Sequence, residues 1–113
     1  MFDIHRDIFL SFMRVHILHH ASEVPIYGLE MIQELARHGY SVSPGTLYPV
    51  FHSLERSGLL ISNKQVIQGK SRRYYEITEL GRQTLITLKP KLLELFDEVI
   101  NVEHDVQETK CKS

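Results

Sequence analysis

The stretch SVSPGTLYPVFHSLERSGLL, residues 41–60, predicts a single amphipathic helix with a well-marked beginning and end. Its apolar residues are spaced at i, i+3, i+4 and i+7 and therefore share one helix face. They are Leu47, Val50, Phe51 and Leu54. Gly58 indicates where the helix ends, because glycine reaches a positive φ without strain. We expect this helix, the third of the chain, to bury its apolar face and to leave the opposite face free.

Two prolines and a glycine lie in the first turns of this helix. We expect Ser43 to be the N-cap, with its hydroxyl accepting from a free backbone N–H, while Pro44 gives up only a donor that lacks an intrahelical partner. Gly45 has no side chain, so another surface can approach the free N–H groups and the positive end of the helix dipole; a phosphate would fit there. Pro49 removes a hydrogen bond near the helix start. Taken alone, however, Ser-Pro-Gly is simply a well-made N-cap.

The rest of the chain predicts three more helices and one β-hairpin, which makes the fold class mainly α with a small β-hairpin. The helix before residue 41 stops at Gly39, so that helix, short turn and third helix have the outline of a DNA-binding helix-turn-helix. The expected bounds are 3–20 for the first helix, 59–67 and 72–78 for the strands with QGKS as the turn, 79–106 for the last helix and 107–113 for a polar tail.

Length and composition indicate one small domain over residues 1–113, with residues 26–78 holding the helix-turn-helix and the hairpin. No apolar segment approaches the roughly 20 residues that span a bilayer. The first residues also lack the pattern of a signal peptide. We therefore expect a cytoplasmic protein without a membrane partner. Cys111 is the only cysteine of the chain, which excludes an intrachain disulfide.

The charges are unevenly distributed, although 13 basic and 14 acidic residues give a net charge of only −1. Residues 56–75 contain no acid, and residues 94–108 contain six acids and no Lys or Arg. A local basic strip is sufficient for contact with phosphates. We expect its hairpin residues to form one cationic ridge beside the third helix; they are Lys64, Lys70, Arg72 and Arg73. A strip of this kind is also compatible with a solvated face.

The last helix carries apolar residues at alternating spacings of three and four, which is a heptad seam. The seam consists of Leu85, Leu88, Leu92, Leu95, Val99, Val102 and Val106, widened by Phe96 and Ile100. This face is larger than a chain of 113 residues needs to close its own core. The surplus predicts pairing with a second copy.

The residues and their order resemble the PadR family of winged-helix transcriptional regulators. The resemblance covers about residues 8–88 and lies in Tyr27-Gly28, in SPGTLYPVFHSLERSGLL and in GKSRRYYEIT running into ELGRQTL. It is closest to the small subfamily with a single C-terminal dimerisation helix. It implies a winged helix-turn-helix and a homodimer built from the first and last helices, which binds a pseudo-palindromic operator, usually as a repressor. The interface residues expected from the seam and the resemblance are Phe9, Phe12, Leu88, Leu92, Leu95, Phe96, Val99 and Val102.

The winged-helix arrangement assigns roles to the residues that would meet double-stranded DNA. Those expected to face the major groove are Gly45, Thr46, Tyr48, Pro49 and His52. Tyr27 and Ser43 are candidates for phosphate contacts, and the four cations of the hairpin would be electrostatic anchors. Tyr48 could instead pack beside the core, and Arg72 could pair with Glu76. Because the first turns expose no Arg, Asn or Gln, we expect specificity to depend on shape, methyl contacts and water.

The resemblance also implies a small aromatic or hydrophobic effector at the dimer interface. The candidate wall residues are Phe9, Phe12, Met13, Phe96 and Val99. Aromatic and methionine side chains suit flat apolar ligands. The same residues could merely fill the interface.

The sequence also bears on three other functions. His16, His19 and His20 have a spacing that places imidazoles on one helix face, but with no Cys or carboxylate cluster nearby we assign them to the helix end, and we expect no metal or cofactor. No catalytic motif or nucleophile and base pair is present, so we do not expect an enzyme. The remaining alternative is a winged-helix protein-interaction module that presents its wing to an acidic protein and does not bind DNA.

Overall fold

The computed structural model of the protein describes residues 3–101. Four helices and one antiparallel hairpin make up this part of the chain, and the expected fold, mainly α with a winged helix-turn-helix and a long last helix, is confirmed. The elements are α1 (Ile4–Glu23), α2 (Gly28–Arg37), α3 (Pro44–Arg56), β1 (Leu60–Ile67), β2 (Lys70–Ile77) and α4 (Glu79–Val99).

The strand β1 begins one residue later than expected, at Leu60, and the bounds of α1, β2 and α4 differ by more. The first helix continues to Glu23, because Ala21 is buried and keeps the last turn against the core. The second strand begins two residues early, at Lys70, because the turn contains only Gln68 and Gly69, both with positive φ. In the last helix the regular part ends at Val99, while the expected residues 102–106 and the tail 107–113 lie outside the described residues.

Glycines mark the ends of two helices. Gly39 follows α2, before the turn that leads into α3, and Gly58 follows α3, before the hairpin. Gly39 has φ +89° and Gly58 has φ +80°. After α2 the Tyr40 N–H donates to the Leu35 carbonyl, and after α3 the Leu59 N–H donates to the Leu54 carbonyl. These are Schellman ends, which need a residue in the left-handed region. They fix the directions in which the chain leaves α2 and α3.

A single extended residue, Ile26, attaches the hairpin to the start of α2. Its N–H donates to the Tyr75 carbonyl at 2.9 Å and its carbonyl accepts from the Tyr75 N–H at 2.7 Å. At the other end of the hairpin, the Thr78 hydroxyl accepts from the Gly81 N–H at 3.0 Å and donates to the Gly58 carbonyl at 2.5 Å. The hairpin is therefore held to α2 by backbone hydrogen bonds at Ile26 and to the ends of α3 and α4 by the Thr78 side chain.

The core lies between α1, α2, α3, the base of the hairpin and the first turns of α4. The inner face of α3 is 0–4% exposed at Leu47, Val50, Phe51 and Leu54, as predicted. The ring of Phe51 packs on that of Tyr75, with centroids 4.3 Å apart. This packing decides which face of α3 is left outside.

The described chain is elongated, with extents of 66 × 31 × 29 Å. Beyond Leu85, the last buried residue of α4, apolar side chains on this helix are exposed or only half-buried. Within residues 3–101, none of the helices combines the length and the apolar character required to cross a membrane.

Candidate nucleic-acid interface

The face of α3 opposite the core is exposed over its whole length. Residues 45, 48, 49, 52 and 56 follow one another at i, i+3, i+4, i+7 and i+11 and all are exposed, whereas Thr46 is half-buried. These residues are Gly45, Tyr48, Pro49, His52 and Arg56. A protruding helix face of this kind is what enters the DNA major groove in helix-turn-helix proteins.

The start of α3 differs in one detail from the expected N-cap. Ser43 is the N-cap residue, but its hydroxyl caps no backbone N–H; it lies 3.5 Å from the Thr46 hydroxyl. The Ser43 carbonyl accepts from the N–H groups of Thr46 and Leu47 instead. The expected side-chain cap is therefore wrong, and the physical reason is that the side chain turns along the surface toward Thr46. Ser43 and Pro44 are exposed, so the helix start is accessible.

Two glycines next to this face have opposite surroundings. A Cβ added to Gly45 would meet only the Ser43 hydroxyl, at 3.7 Å, so nothing within the protein requires glycine there. A Cβ added to Gly28 would lie 2.7 Å from Cζ of Tyr48. The Tyr48 ring thus leans on the start of α2 and is 40% exposed. It packs partly beside the core and also contributes to the outer face.

Tyr27, Arg72 and Tyr74 contact one another where α2 meets the hairpin, with the two tyrosine rings in an edge-to-face arrangement. The guanidinium carbon of Arg72 lies 4.5 Å from the centre of the Tyr27 ring, and the Tyr27 and Tyr74 ring centroids are 5.3 Å apart. The Arg72 guanidinium lies over the Tyr27 ring and does not form the ion pair with Glu76 that the sequence left open. These contacts hold Tyr27 and Arg72 together at one edge of the candidate surface.

Arg73 is held on the other face of the hairpin by a hydrogen-bonded chain. Its guanidinium donates to the Ser62 hydroxyl at 3.1 Å, and that hydroxyl donates to a Glu55 carboxylate oxygen at 2.7 Å. The Ser62 N–H donates to the same oxygen at 3.1 Å. This chain connects the hairpin to the end of α3 and orients both.

The strand register divides the four hairpin cations between two faces. Lys64 pairs with Arg73 on the face that continues from buried Tyr75, whereas Lys70 and Arg72 lie on the opposite face. The expected single cationic ridge is therefore wrong. The reason is the two-residue period of a strand, since positions 70 and 73 are an odd number of residues apart. The hairpin presents one pair of cations on each side.

The sequence reasoning did not assign roles to Arg56 and Tyr74. Arg56 is exposed at the end of α3, in register with the outer face, and this position follows from the same helical spacing. Tyr74 is brought to Tyr27 by the Ile26 bridge. A single bridging residue leaves no periodic signal, so Tyr74 could not be placed beside Tyr27 from the sequence.

Comparison with known proteins identifies the family. Residues 17–87 match the model of the "Transcriptional regulator PadR-like family", which is more than half of the chain. The chain belongs to the PadR-like transcriptional regulators. The expected resemblance is thereby confirmed, and the function of this family is the regulation of transcription through DNA binding.

Relatives of this PadR-like chain match over most of their length. The transcriptional regulator Rv3488 of Mycobacterium tuberculosis is 47% identical over 95 residues, which are 84% of this chain and 89% of the relative. A PadR family transcriptional regulator from Eggerthella lenta is 31% identical in its crystal structure, with a TM-score of 0.70 over 88% of this chain and 92% of that one. A PadR-like regulator from Bacillus cereus is 28% identical, with a TM-score of 0.75 over 81% and 91%.

The dimer residues expected for this PadR-like chain lie on the surface of the single protomer. Exposed fractions are 53% for Phe9, 41% for Phe12, 37% for Leu92, 51% for Leu95, 50% for Phe96 and 58% for Val99. Leu88 is half-buried. Val102 lies outside the described residues. An apolar surface of this extent, on α1 and α4, is what an association face would need.

A cavity of about 610 Å³ lies between the start of α1 and the turn from α2 to α3. Three of the residues expected around an effector, Phe9, Phe12 and Met13, line it together with Tyr40 and Thr46. Phe96 and Val99 are not among its walls. The protomer therefore brings together only the α1 part of the expected effector site.

The histidines group differently from the expected cluster of His16, His19 and His20. The structure brings His16 and His20 together with His38, the C-cap residue of α2, and not with His19. Nε2 of His19 lies 3.6 Å from Oε1 of Glu23 instead. Burial, followed by the neighbouring imidazoles of His38, His20 and His19, holds the pKa of His16 below its ordinary value, against an opposing effect of Glu34. His16 is thus favoured as a neutral imidazole at neutral pH.

Proposed function

We propose that this PadR-like regulator is a homodimeric repressor that binds a pseudo-palindromic operator, with one α3 in the major groove of each half-site. The observation that best supports this proposal is the exposure of α3. This helix buries one face completely, whereas its opposite face and its N-terminal end are exposed beside a cationic hairpin. Gly45, Thr46, Tyr48, Pro49 and His52 face the bases. Pro49 offers apolar contact to a thymine methyl, and Thr46 and His52 offer hydrogen bonds.

The hairpin is the wing, and its two charged faces suit a groove with a phosphate backbone on each side. Lys64 and Arg73 would meet one strand, and Lys70 and Arg72 the other. Lys64 and Arg73 are directly opposite each other, and like charges in that position destabilise a sheet by roughly 0.2–1 kcal/mol. A phosphate between them would remove this repulsion. Tyr27 and Ser43 complete the phosphate contacts at the edge of α3.

The exposed apolar face on α1 and α4 would pair the two protomers. Burial of each exposed Leu, Val or Phe contributes about 1.5–3 kcal/mol when complete, before the cost of association. A two-fold dimer would place its two recognition helices about 34 Å apart, one turn of DNA, or a multiple of this distance. The described surface offers the residues for this contact in Phe9, Phe12, Leu92, Phe96 and Val99.

Release of the operator by a small apolar compound is part of the proposal. The cavity beside Phe9, Phe12 and Met13 also touches Tyr40, Val42 and Thr46, which belong to the turn before α3 and to its first turn. A ligand in this cavity would contact residues of α1 that belong to the proposed dimer face and residues at the start of the recognition helix α3. Binding of a flat aromatic probe, followed by fluorescence, should compete with operator DNA.

The salt dependence of DNA binding tests the proposal against a protein-interaction module. Fluorescence anisotropy with duplex DNA should give an affinity that falls steeply with salt, and Lys70→Gln should reduce the slope of log K against log[salt] by about 0.9 if one phosphate contact is lost. Lys91→Gln, the same charge change on α4, should leave the slope unchanged. Absence of DNA binding even at low salt would contradict the proposal and favour the protein-interaction module.

A further inference from the structure

Three imidazoles converge where α1 passes the end of α2. His16, His20 and His38 each offer a ring nitrogen, and these atoms all lie within 4.8 Å of one another. The rings of His16 and His38 are stacked with centroids 4.7 Å apart, and the His20 and His38 centroids are 6.0 Å apart. The proposed DNA contacts and dimer face do not use this cluster.

A carboxylate completes the group. One oxygen of Glu34, Oε1, lies 3.7 Å from Nε2 of His20 and 3.5 Å from Nε2 of His38. The other oxygen, Oε2, is held by Arg37 at 3.0 Å. In a tetrahedral zinc site with bonds of about 2.0–2.1 Å, neighbouring ligand atoms are about 3.3 Å apart. The distance from Oε1 of Glu34 to each of these two imidazole nitrogens is therefore within a few tenths of an ångström of that spacing.

The helices build this arrangement from two pairs spaced at i, i+4. His16 and His20 are one turn apart on α1, and Glu34 and His38 are one turn apart at the end of α2. The Schellman end at Gly39 fixes the position of His38, the C-cap residue just before it. Glu34 and His20 are each less than one quarter exposed, at 24% and 21% of their side chains. Water is thus partly excluded from the centre of the cluster.

We propose that His16, His20, His38 and Glu34 bind one divalent transition-metal ion, with Zn²⁺ the preferred ion. Three imidazoles with one carboxylate suit zinc and its neighbours, whereas Ca²⁺ and Mg²⁺ require sites composed of oxygen ligands. Arg37 orients the carboxylate from outside the ligand set, as outer partners commonly do. The ion would join α1 to the end of α2 and so restrain the turn that leads to α3.

Zinc binding is measured on the full chain carrying Cys111→Ser, which removes a thiolate that could bind metal elsewhere. Titration of Zn²⁺ against a chromophoric chelator should give one ion per chain, and Co²⁺ should give the visible absorption of a four-coordinate site. The melting temperature should rise with Zn²⁺, because the ion binds the folded state.

The matched variants are His38→Ala and His19→Ala, both at exposed positions. His38→Ala and Glu34→Gln each remove a ligand and should weaken Zn²⁺ binding at least about tenfold, whereas His19→Ala should bind like the parent protein. Circular dichroism confirms that each variant is folded, and His20→Gln replaces His38→Ala if it is not. Absence of Zn²⁺ binding by the parent protein, or equal binding by it and the folded ligand variants, would overturn the proposal. All of these measurements are made without DNA, so their outcome does not depend on the proposed DNA binding.

Discussion

At the scale of single residues, two glycines have different explanations: the fold requires one of them, whereas a partner outside the protein would explain the other. Gly81 is buried, and a Cβ there would lie 2.6 Å from Cγ1 of Ile77 and closer still to the Leu59 carbonyl oxygen. A Cβ on Gly45 would make only an ordinary contact, with the Ser43 hydroxyl at 3.7 Å. The first glycine is needed for folding, whereas the second leaves room for something outside the protein. The proposed partner is DNA in the major groove.

Gly45→Ala should therefore keep or raise stability and weaken DNA binding. Alanine is favoured over glycine inside a helix by up to about 1 kcal/mol, although less near the first turn. Its methyl group would separate α3 from the DNA and should lower operator affinity about tenfold, or roughly 1.4 kcal/mol. Thermal denaturation and anisotropy measure the two effects. Ser57→Ala, at the far end of α3, is the control; unchanged DNA affinity of Gly45→Ala would show that the helix start does not touch DNA.

Lys64→Gln should also move stability and binding in opposite directions. Removing one of the two like charges that face each other on the strands should stabilise the hairpin by a few tenths of a kcal/mol. The same change removes a phosphate contact and should lower the affinity for DNA. Urea denaturation measures the change in stability, and anisotropy at low salt measures the change in DNA affinity. A loss of both stability and affinity would mean that Lys64 has a structural role instead.

At the scale of the elements, the hairpin depends on contacts at its base. Thr78 joins three elements, because its hydroxyl caps α4 at the Gly81 N–H and reaches back to the Gly58 carbonyl after α3. Ile26 connects β2 to the start of α2, and Ser62 connects β1 to Glu55 of α3. The position of the wing relative to α3 is therefore set at this junction rather than at the turn.

Thr78→Ala should cost about 1–2 kcal/mol of unfolding free energy, since it removes an N-cap and leaves a carbonyl without its partner. Thr87→Ala is the matched control, because its hydroxyl only donates to the Gln83 carbonyl on the exposed side of α4. That variant should change stability by less than about 0.5 kcal/mol. Urea denaturation distinguishes the two. Equal effects would contradict the role of Thr78 in joining the elements.

The sequence predicted the elements well where a period or a special residue marks them. The apolar face of α3 follows from its spacing, and Gly39 and Gly58 mark the helix ends through their positive φ. The Ile26 bridge and the meeting of His38 with α1 depend on how distant segments pack, which no local pattern records. The two cation faces could have been found, because the two-residue period of a strand already separates positions 70 and 73. The DNA contacts themselves stay a prediction.

At the scale of the whole molecule, the surplus apolar surface predicts a dimer. Leu95→Glu places a charge within the association face and should give a monomer at micromolar concentration, because an unpaired charge is costly to bury. Ile86→Glu is the control: Ile86 is 58% exposed and lies on the opposite side of α4. Sedimentation or light scattering measures the mass. A dimeric Leu95→Glu protein would show that the α4 seam does not carry the interface.

The central claim is that two paired protomers place two α3 helices on one face of the DNA. The most direct test is hydroxyl-radical footprinting on an operator selected from genomic fragments with the purified protein. We predict two protected half-sites related by a two-fold axis, with centres about 34 Å or a multiple of this distance apart. Leu95→Glu should lose this paired protection at the same protein concentration. Protection of one asymmetric half-site by the parent protein, or no protection of any fragment, would contradict the account.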